Sequence, residues 1–300
     1  MGAGIEAAES LRFVRFQVGD RIAYGLVEGE RVRALEGELF GEWKKTDRTH
    51  AMSEVKLLVP CEPKNVFAMA GNYRSHLTKG ATTTTVTTTT VFSFDPQNNK
   101  TETSSSTKQE TRVPGEVPPI FQIPQPFLKT VSCLTAHETP IVIPKTSTGD
   151  VHYEAEMVVI IGKTAKNVSL KDAPQYVFGV TCGNDVSERT WQKGDVQWWR
   201  AKGSDTFGPC GPCIVTGLNY DNLQLKLRLN GEVKQDESTA MLIHNVSSLV
   251  SFISQYTTLH PGDMIFTGTS GTTTAMKPGD VVEVELEGVG ILRNTVVAEK

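Results

Sequence analysis

Residues 152–161, His-Tyr-Glu-Ala-Glu-Met-Val-Val-Ile-Ile, set two carboxylates directly against an unbroken apolar run. On a strand, residues i and i+2 share a face, about 6.5–7 Å apart along the chain. Glu154 and Glu156 therefore point the same way, at the mouth of a segment apolar enough to be buried. Two carboxylates near a core repel one another and lose solvation, so each is driven to take up a proton. A hard divalent cation removes that penalty and accepts oxygen ligands well. The plainer alternative is two glutamates facing water at a strand end. Further along, the stretch GVTCGNDVSER, residues 179–189, passes from a strand into a polar turn. There Asp185 would supply a third carboxylate, Arg189 a bidentate clamp for a substrate carboxylate, and Gln192 a further hydrogen bond. In RAKGSDTF, residues 200–207, Lys202 would offset the anionic cluster and stand where an enolate oxygen develops charge. Taken singly, Arg189 and Lys202 each read more simply as surface residues.

Positioning these groups needs a strand-rich frame. Val158–Ile161 and Val281–Leu286 read as strands, and Pro261-Gly262-Asp263 and Pro278-Gly279-Asp280 are turns, each directly before a strand. Residues 240–257 read as a helix, with Leu242, Val246, Leu249, Val250 and Ile253 forming one buried stripe. Residues 11–35 alternate apolar and polar between Gly-Asp and Glu-Gly-Glu breaks, the pattern of a small antiparallel meander. A domain boundary is expected near residue 60, dividing 1–60 from 61–300. Residues 65–77 run from a buried strand through a Gly-Asn turn into a short helix. Residues 80–118 hold two runs of four threonines and few large apolar groups, too little to offset ordering entropy. That stretch reads as a mobile surface insertion, placed where a lid would lie, with an exposed hairpin as the competing reading. Strands without regular βαβα alternation imply an α+β class, mainly β, with a few helices.

Bulk properties exclude several functions. A formal net charge of −4 with no basic cluster leaves no footprint for nucleic acid. Apolar runs fall far short of the roughly 20 residues that cross a bilayer. Residues 1–10 lack the features of a secretory signal, so a soluble, cytoplasmic protein is expected. Five cysteines suggest no disulfide framework. Cys210-Gly-Pro-Cys213 resembles a redox pair, but no helix N-terminus can follow it to lower a thiol pKa; buried side chains in a Gly/Pro turn are expected instead. His152 shares the face of Glu154 and Glu156 and reads as a neighbour of the ligands, or as solvated. His244 and His260 read as structural, and His137 and Glu138 have no evident role.

Seven motifs in order, NYRSH, PFLK, HYEAEMVVIIG, NDVSERTWQ, RAKGSDTFGPCGP, LHPGDMIFTGTSGT and PGDVVEVELEGVGILRN, resemble the fumarylacetoacetate hydrolase family over residues 60–300. Residues 11–60 are similar to a small N-terminal domain fused to that module in some members. The resemblance implies a mainly β fold with mixed β-roll or sandwich character, often a homodimer. It implies a divalent metal, magnesium first with manganese or calcium as alternatives, on Glu154, Glu156 and Asp185. Lys202 matches a lysine near the substrate oxygen, Thr269 a threonine lining the site, and Tyr73 and His76 the N-Y-x-x-H segment. In many members that histidine pairs with a following glutamate to activate water; here the position is Lys79, and Glu102 or Glu110 are the candidates to replace it. The implied substrate is a small 2-oxo acid or β-dicarbonyl compound. Hydrolytic carbon–carbon cleavage of an acylpyruvate is one expected reaction. Decarboxylation or isomerisation of an oxaloacetate or 2-hydroxy-diene-dioate type stands beside it, and a non-catalytic metal-binding scaffold is the rival from another class.

Overall fold

The computed structural model describes residues 10–77, 83–95, 100–112 and 116–300, with side chains described for residues 10–77 and 116–300. Among these residues strands dominate and helices are short, so the chain is α+β and mainly β. No helix among them is long and apolar enough to cross a membrane.

The strand Ala155–Ile161 lies at the centre of a twelve-stranded sheet. Both of its faces are buried, which is why its sequence is continuously apolar rather than alternating. Met157, Val159 and Ile161 join one core with Leu225, Leu227, Val282 and Val284. These come from a five-stranded sheet that also holds Val281–Leu286 and Gly290–Ala298. Val158 and Ile160 face the opposite way, with Phe13, Cys210, Ile214, Met264 and Phe266. Antiparallel neighbours flank the central strand: Val177–Asn184 on one side and Met264–Phe266 on the other. Beyond Met264–Phe266 come Val66–Met69, in parallel, and Pro126–Lys129 at the edge.

The expected meander is present as Arg12–Val18, Arg21–Glu28 and Arg31–Gly37, and Trp43–Ala51 adds a fourth strand. These strands build no sheet of their own. Arg12 and Phe13 pair with Val215 and Ile214, so they extend the large sheet. Val246–Tyr256 is the expected helix, with Val246, Leu249, Val250 and Ile253 buried. It starts later than the apolar spacing suggested, because Asn245 accepts the Ser248 N–H and caps it there. Leu242 and His244 therefore precede the helix. Cys210 and Cys213 lie within the strand Gly208–Val215, not in a turn, and all five cysteines are free and buried. Burial pushes the Cys210 thiol well above its ordinary range and the Cys213 thiol up to about 11, which removes the redox reading.

The Thr-rich stretch takes the competing form. Thr83–Asp95 and Lys100–Arg112 pair antiparallel without a break in register and join no other described strand. β-Branched threonines suit such a ladder, whose backbone pairing needs no core. Lys79 and the side chains of Glu102 and Glu110 lie outside the described residues.

Asp263 joins two of the strands beneath the site. Its Oδ1 accepts the N–H groups of Lys64 at 3.0 Å and Asn65 at 2.8 Å, and its Oδ2 accepts the His260 N–H at 2.8 Å. The Pro-Gly-Asp turn is thereby locked to the start of Val66–Met69. Asp263→Ala leaves three backbone donors unpaired and is expected to lower unfolding free energy by about 3–5 kcal/mol, read from denaturant midpoints. A loss under about 1 kcal/mol would contradict the assignment.

Candidate active site

The residues nominated by the sequence converge where the central strand meets its neighbours. Glu154 donates its N–H to Asn184 Oδ1 at 2.8 Å and accepts the Asp185 N–H on its carbonyl at 2.9 Å. The end of one strand and the turn after the next are thus tied together. Glu156, two residues on, lies opposite Gly183, where a Cβ would stand 2.3 Å from a methyl of Val158. Carboxylate oxygens of Glu154, Glu156 and Asp185 come within 4.8 Å of one another, and all three side chains are buried.

Three cations surround this cluster. Lys202 Nζ donates to Glu154 Oε2 at 2.6 Å and to Asp185 Oδ2 at 2.7 Å. Arg189 donates to Glu154 Oε1, and its other terminal nitrogen donates to Gln192 Oε1 at 2.7 Å. Lys129 Nζ, fully buried, donates to Asp185 Oδ1 at 2.6 Å and to the carbonyls of Phe207 and Lys202. Lys129 was present in the PFLK motif but carried no assigned role, because its partners lie over 50 residues away in sequence. Burial works against the Glu154 carboxylate, yet the Lys202 and Arg189 cations outweigh it and hold the group well below its usual range. Glu156 behaves oppositely. Burial first, then the neighbouring Asp185 and Glu154 charges, push it well above that range. Its described partner is the Gly268 N–H at 2.7 Å, at a glycine with φ +103° where a Cβ would meet Asn72 at 2.8 Å. Three buried oxygen donors, one of them without a side-chain cation, fit a hard divalent ion. They would not fit a soft one, which takes thiolate or imidazole.

Above the carboxylates lies a cavity of about 270 Å³, lined by Glu154, Arg189, Gln192, Lys202, Thr269 and His76 on its polar side. Met69, Leu77, Phe121, Phe127 and Trp198 form the apolar wall. His76 stands on the short helix Arg74–Leu77, with Nδ1 2.7 Å from the Gly271 carbonyl. A carbonyl only accepts, so Nδ1 carries the proton and the neutral ring keeps its lone pair on Nε2. Thr269 Oγ1 accepts from Gln235 Nε2 at 2.8 Å. Gln235 also accepts the Ala155 N–H at 3.0 Å, tying the Thr269 turn to the central strand. Nothing in its surroundings in sequence, VKQDES, marked that residue. Tyr73 is fully buried and does not line the cavity; its hydroxyl has no partner among the described residues. Asn72 is structural, bridging His244 and the Thr267 carbonyl. His137 and Glu138 hold Arg293 on a distant strand.

Removing the repulsion at Glu156 is the sharpest check on this electrostatic picture. In chelator, Glu156→Gln is expected to melt at or above the parent temperature, since the amide replaces a carboxyl whose ionisation burial and two neighbouring charges disfavour. Its magnesium affinity is expected to fall at least about tenfold. A chelated variant that melts well below the parent would contradict it.

A family model described as fumarylacetoacetate (FAA) hydrolase C-terminal matches residues 65–297, and one described as Rv2993c-like, N-terminal matches residues 11–60. Protein Rv2993c of Mycobacterium tuberculosis is 33% identical over 297 residues, covering 96% of this chain and 98% of that protein. The mitochondrial oxaloacetate tautomerase FAHD2A of Bos taurus is 38% identical over 191 residues, 60% of each chain. A crystal structure of 5-carboxymethyl-2-hydroxymuconate delta-isomerase from Mycobacterium smegmatis matches with a TM-score of 0.78 at 31% identity, covering 96% of this chain and all of that one. The folded sheet, the ordered motifs and a family match over most of the length agree: this chain belongs to the fumarylacetoacetate hydrolase family of enzymes.

Proposed function

We propose that this chain is a divalent-metal-dependent enzyme that moves a proton on a small 2-oxo diacid, interconverting keto and enol forms. The observation carrying this reading is His76, fixed through Nδ1 to the Gly271 carbonyl, at a small cavity shared with Arg189 and Lys202. Glu154, Glu156 and Asp185 would hold the ion, magnesium for preference, with manganese or calcium as alternatives. When bound, it would act as a Lewis acid toward the 2-oxo group.

The protein's own side chains supply the rest. Counted with all three ionised, as a bound ion would hold them, the carboxylates balance the three side-chain cations, which pair with Glu154 and Asp185. A dication raises the site to about +2, and a dianionic substrate restores neutrality in a cavity where unbalanced charge is costly. Arg189, steadied by Gln192, would take the substrate carboxylate. Lys202 Nζ would share the negative charge that develops on the enolate oxygen. His76 Nε2 would accept the proton from carbon and return it at the other end of the conjugated system. Thr269 lies on the cavity wall, where the Phe127 and Trp198 rings pack edge to face. Tyr73 would support His76 from behind rather than touch the substrate.

The names of the bovine and mycobacterial relatives, a tautomerase and a delta-isomerase, support this class of reaction. Hydrolytic cleavage of an acylpyruvate would use the same enolate and add a water activated by His76. Among the described residues His76 is hydrogen-bonded to a backbone carbonyl. Division of the chain near residue 60, a homodimer and a cytoplasmic location belong to the same reading.

Magnesium-dependent turnover of oxaloacetate enol, a 2-hydroxy-dienedioate and an acylpyruvate, followed by ultraviolet absorbance, tests the proposal. Turnover of a diacid is expected, and His76→Ala is expected to slow it about 100- to 10,000-fold with metal affinity unchanged. Cleavage of the acylpyruvate alone would replace the reading with hydrolysis. Bound metal without turnover of any substrate would leave a scaffold.

A further inference from the structure

Arg189 is held from behind by a hydrogen-bond chain whose direction the chemistry of its members decides. Arg189 Nη2 lies 2.9 Å from Thr273 Oγ1. A guanidinium only donates, so the hydroxyl accepts there and its own hydrogen must go elsewhere. Its other neighbour is His152 Nδ1, at 2.9 Å. A hydroxyl can also accept twice, so the other ring nitrogen of His152 decides the direction. Nε2 lies 2.9 Å from Asp150 Oδ1, a carboxylate that only accepts. The proton of a neutral ring is therefore on Nε2, Nδ1 accepts from the Thr273 hydroxyl, and every donor from Arg189 to Thr273 to His152 to Asp150 meets an acceptor.

The chain is anchored at the backbone as well. The Arg189 N–H donates to the Asp150 carbonyl at 2.9 Å, and His152 pairs with Ser187 in a two-stranded ladder. Asp150 is 41% exposed and Arg189 15% exposed, so the relay runs from near the surface inward to the cavity wall. Nη2 spends both its hydrogens on Glu154 and Thr273, and one Nη1 hydrogen goes to Gln192. Among the described residues three of its five donors are used, and the Thr273 hydroxyl is one of the three acceptors that fix the plane of the guanidinium.

We propose that Asp150, His152 and Thr273 are positioning residues that orient the Arg189 guanidinium toward the substrate carboxylate, with His152 acting through the Thr273 hydroxyl. This rests on Arg189 being the carboxylate clamp. A misdirected clamp weakens substrate binding more than it slows proton transfer, because His76 stays fixed to Gly271 and Glu154 keeps its Lys202 partner. His152→Leu deletes the acceptor for Thr273. His152→Asn keeps an oxygen near the former Nδ1 position. Thr273→Val deletes the hydroxyl, and Thr273→Ser keeps it.

The test joins ring-nitrogen magnetic resonance of the full-length protein with kinetics of the four variants. The His152 proton is expected on Nε2. His152→Leu and Thr273→Val are expected to raise KM for a 2-oxo diacid, and Kd for oxalate with magnesium present, about tenfold. In both, kcat and magnesium affinity stay within about threefold of the parent, while His152→Asn and Thr273→Ser recover most of the binding. A proton on Nδ1, a KM unchanged in both deletions, or Asn and Ser variants no better than Leu and Val would overturn the relay. Failure of the proposed reaction is separate: the parent protein would then turn over no diacid, while the tautomer and oxalate measurements still decide the relay.

Discussion

Three carboxylates are held closer together than their charges favour, and the rest of the site is arranged around that fact. Within 4.8 Å and at an effective dielectric near 20, a like-charge pair costs about 3 kcal/mol or more. Lys202 answers two of the charges at once, Lys129 one and Arg189 one, while Glu156 receives a backbone N–H. The residue left with the weakest compensation is the one whose carboxyl is driven upward. An arrangement so expensive without an ion, and so well shaped for a hard one, explains why the sheet brings these side chains together.

The segment 268–273 links the parts of the site. Gly268 donates to Glu156, Thr269 lines the cavity, the Gly271 carbonyl sets the tautomer of His76, and Thr273 meets Arg189. Gln235 and Ser75 hold this segment in turn, Gln235 through Thr269 and Ser75 through the Gly271 N–H. The proposed base, clamp and metal ligand thereby share one strap of backbone whose conformation depends on the positive φ of Gly268 and Gly271. A shift in that strap would be felt at all three, which gives the short helix carrying His76 a fixed reference despite its length.

Much of this was legible in sequence where the governing rule is local. Alternation on a strand placed Glu154 and Glu156 on one face, and the Pro-Gly-Asp turns announced the strands after them. The apolar spacing marked the helix Val246–Tyr256, although a cap three residues past Leu242 moved its start. Contacts that depend on distant partners were not legible. Lys129 is an edge-strand lysine like many others until Asp185 and the Lys202 and Phe207 carbonyls close around it. Gln235 lies in a polar stretch whose burial follows from sheet packing alone. The threonine runs lacked apolar mass, the signal of an unstructured insertion, yet β-branching and uninterrupted pairing are enough for a two-stranded ladder. Tyr73 matched a motif that records sequence order but not the direction of its ring.

The most direct measurement is an anomalous-scattering map from crystals grown with manganese and oxalate. The account predicts one peak within about 2–2.6 Å of an oxygen from each of Glu154, Glu156 and Asp185, with oxalate between it and Arg189. A map with no peak there, or with the three carboxylates turned apart and each paired only with its own lysine or arginine, would contradict it.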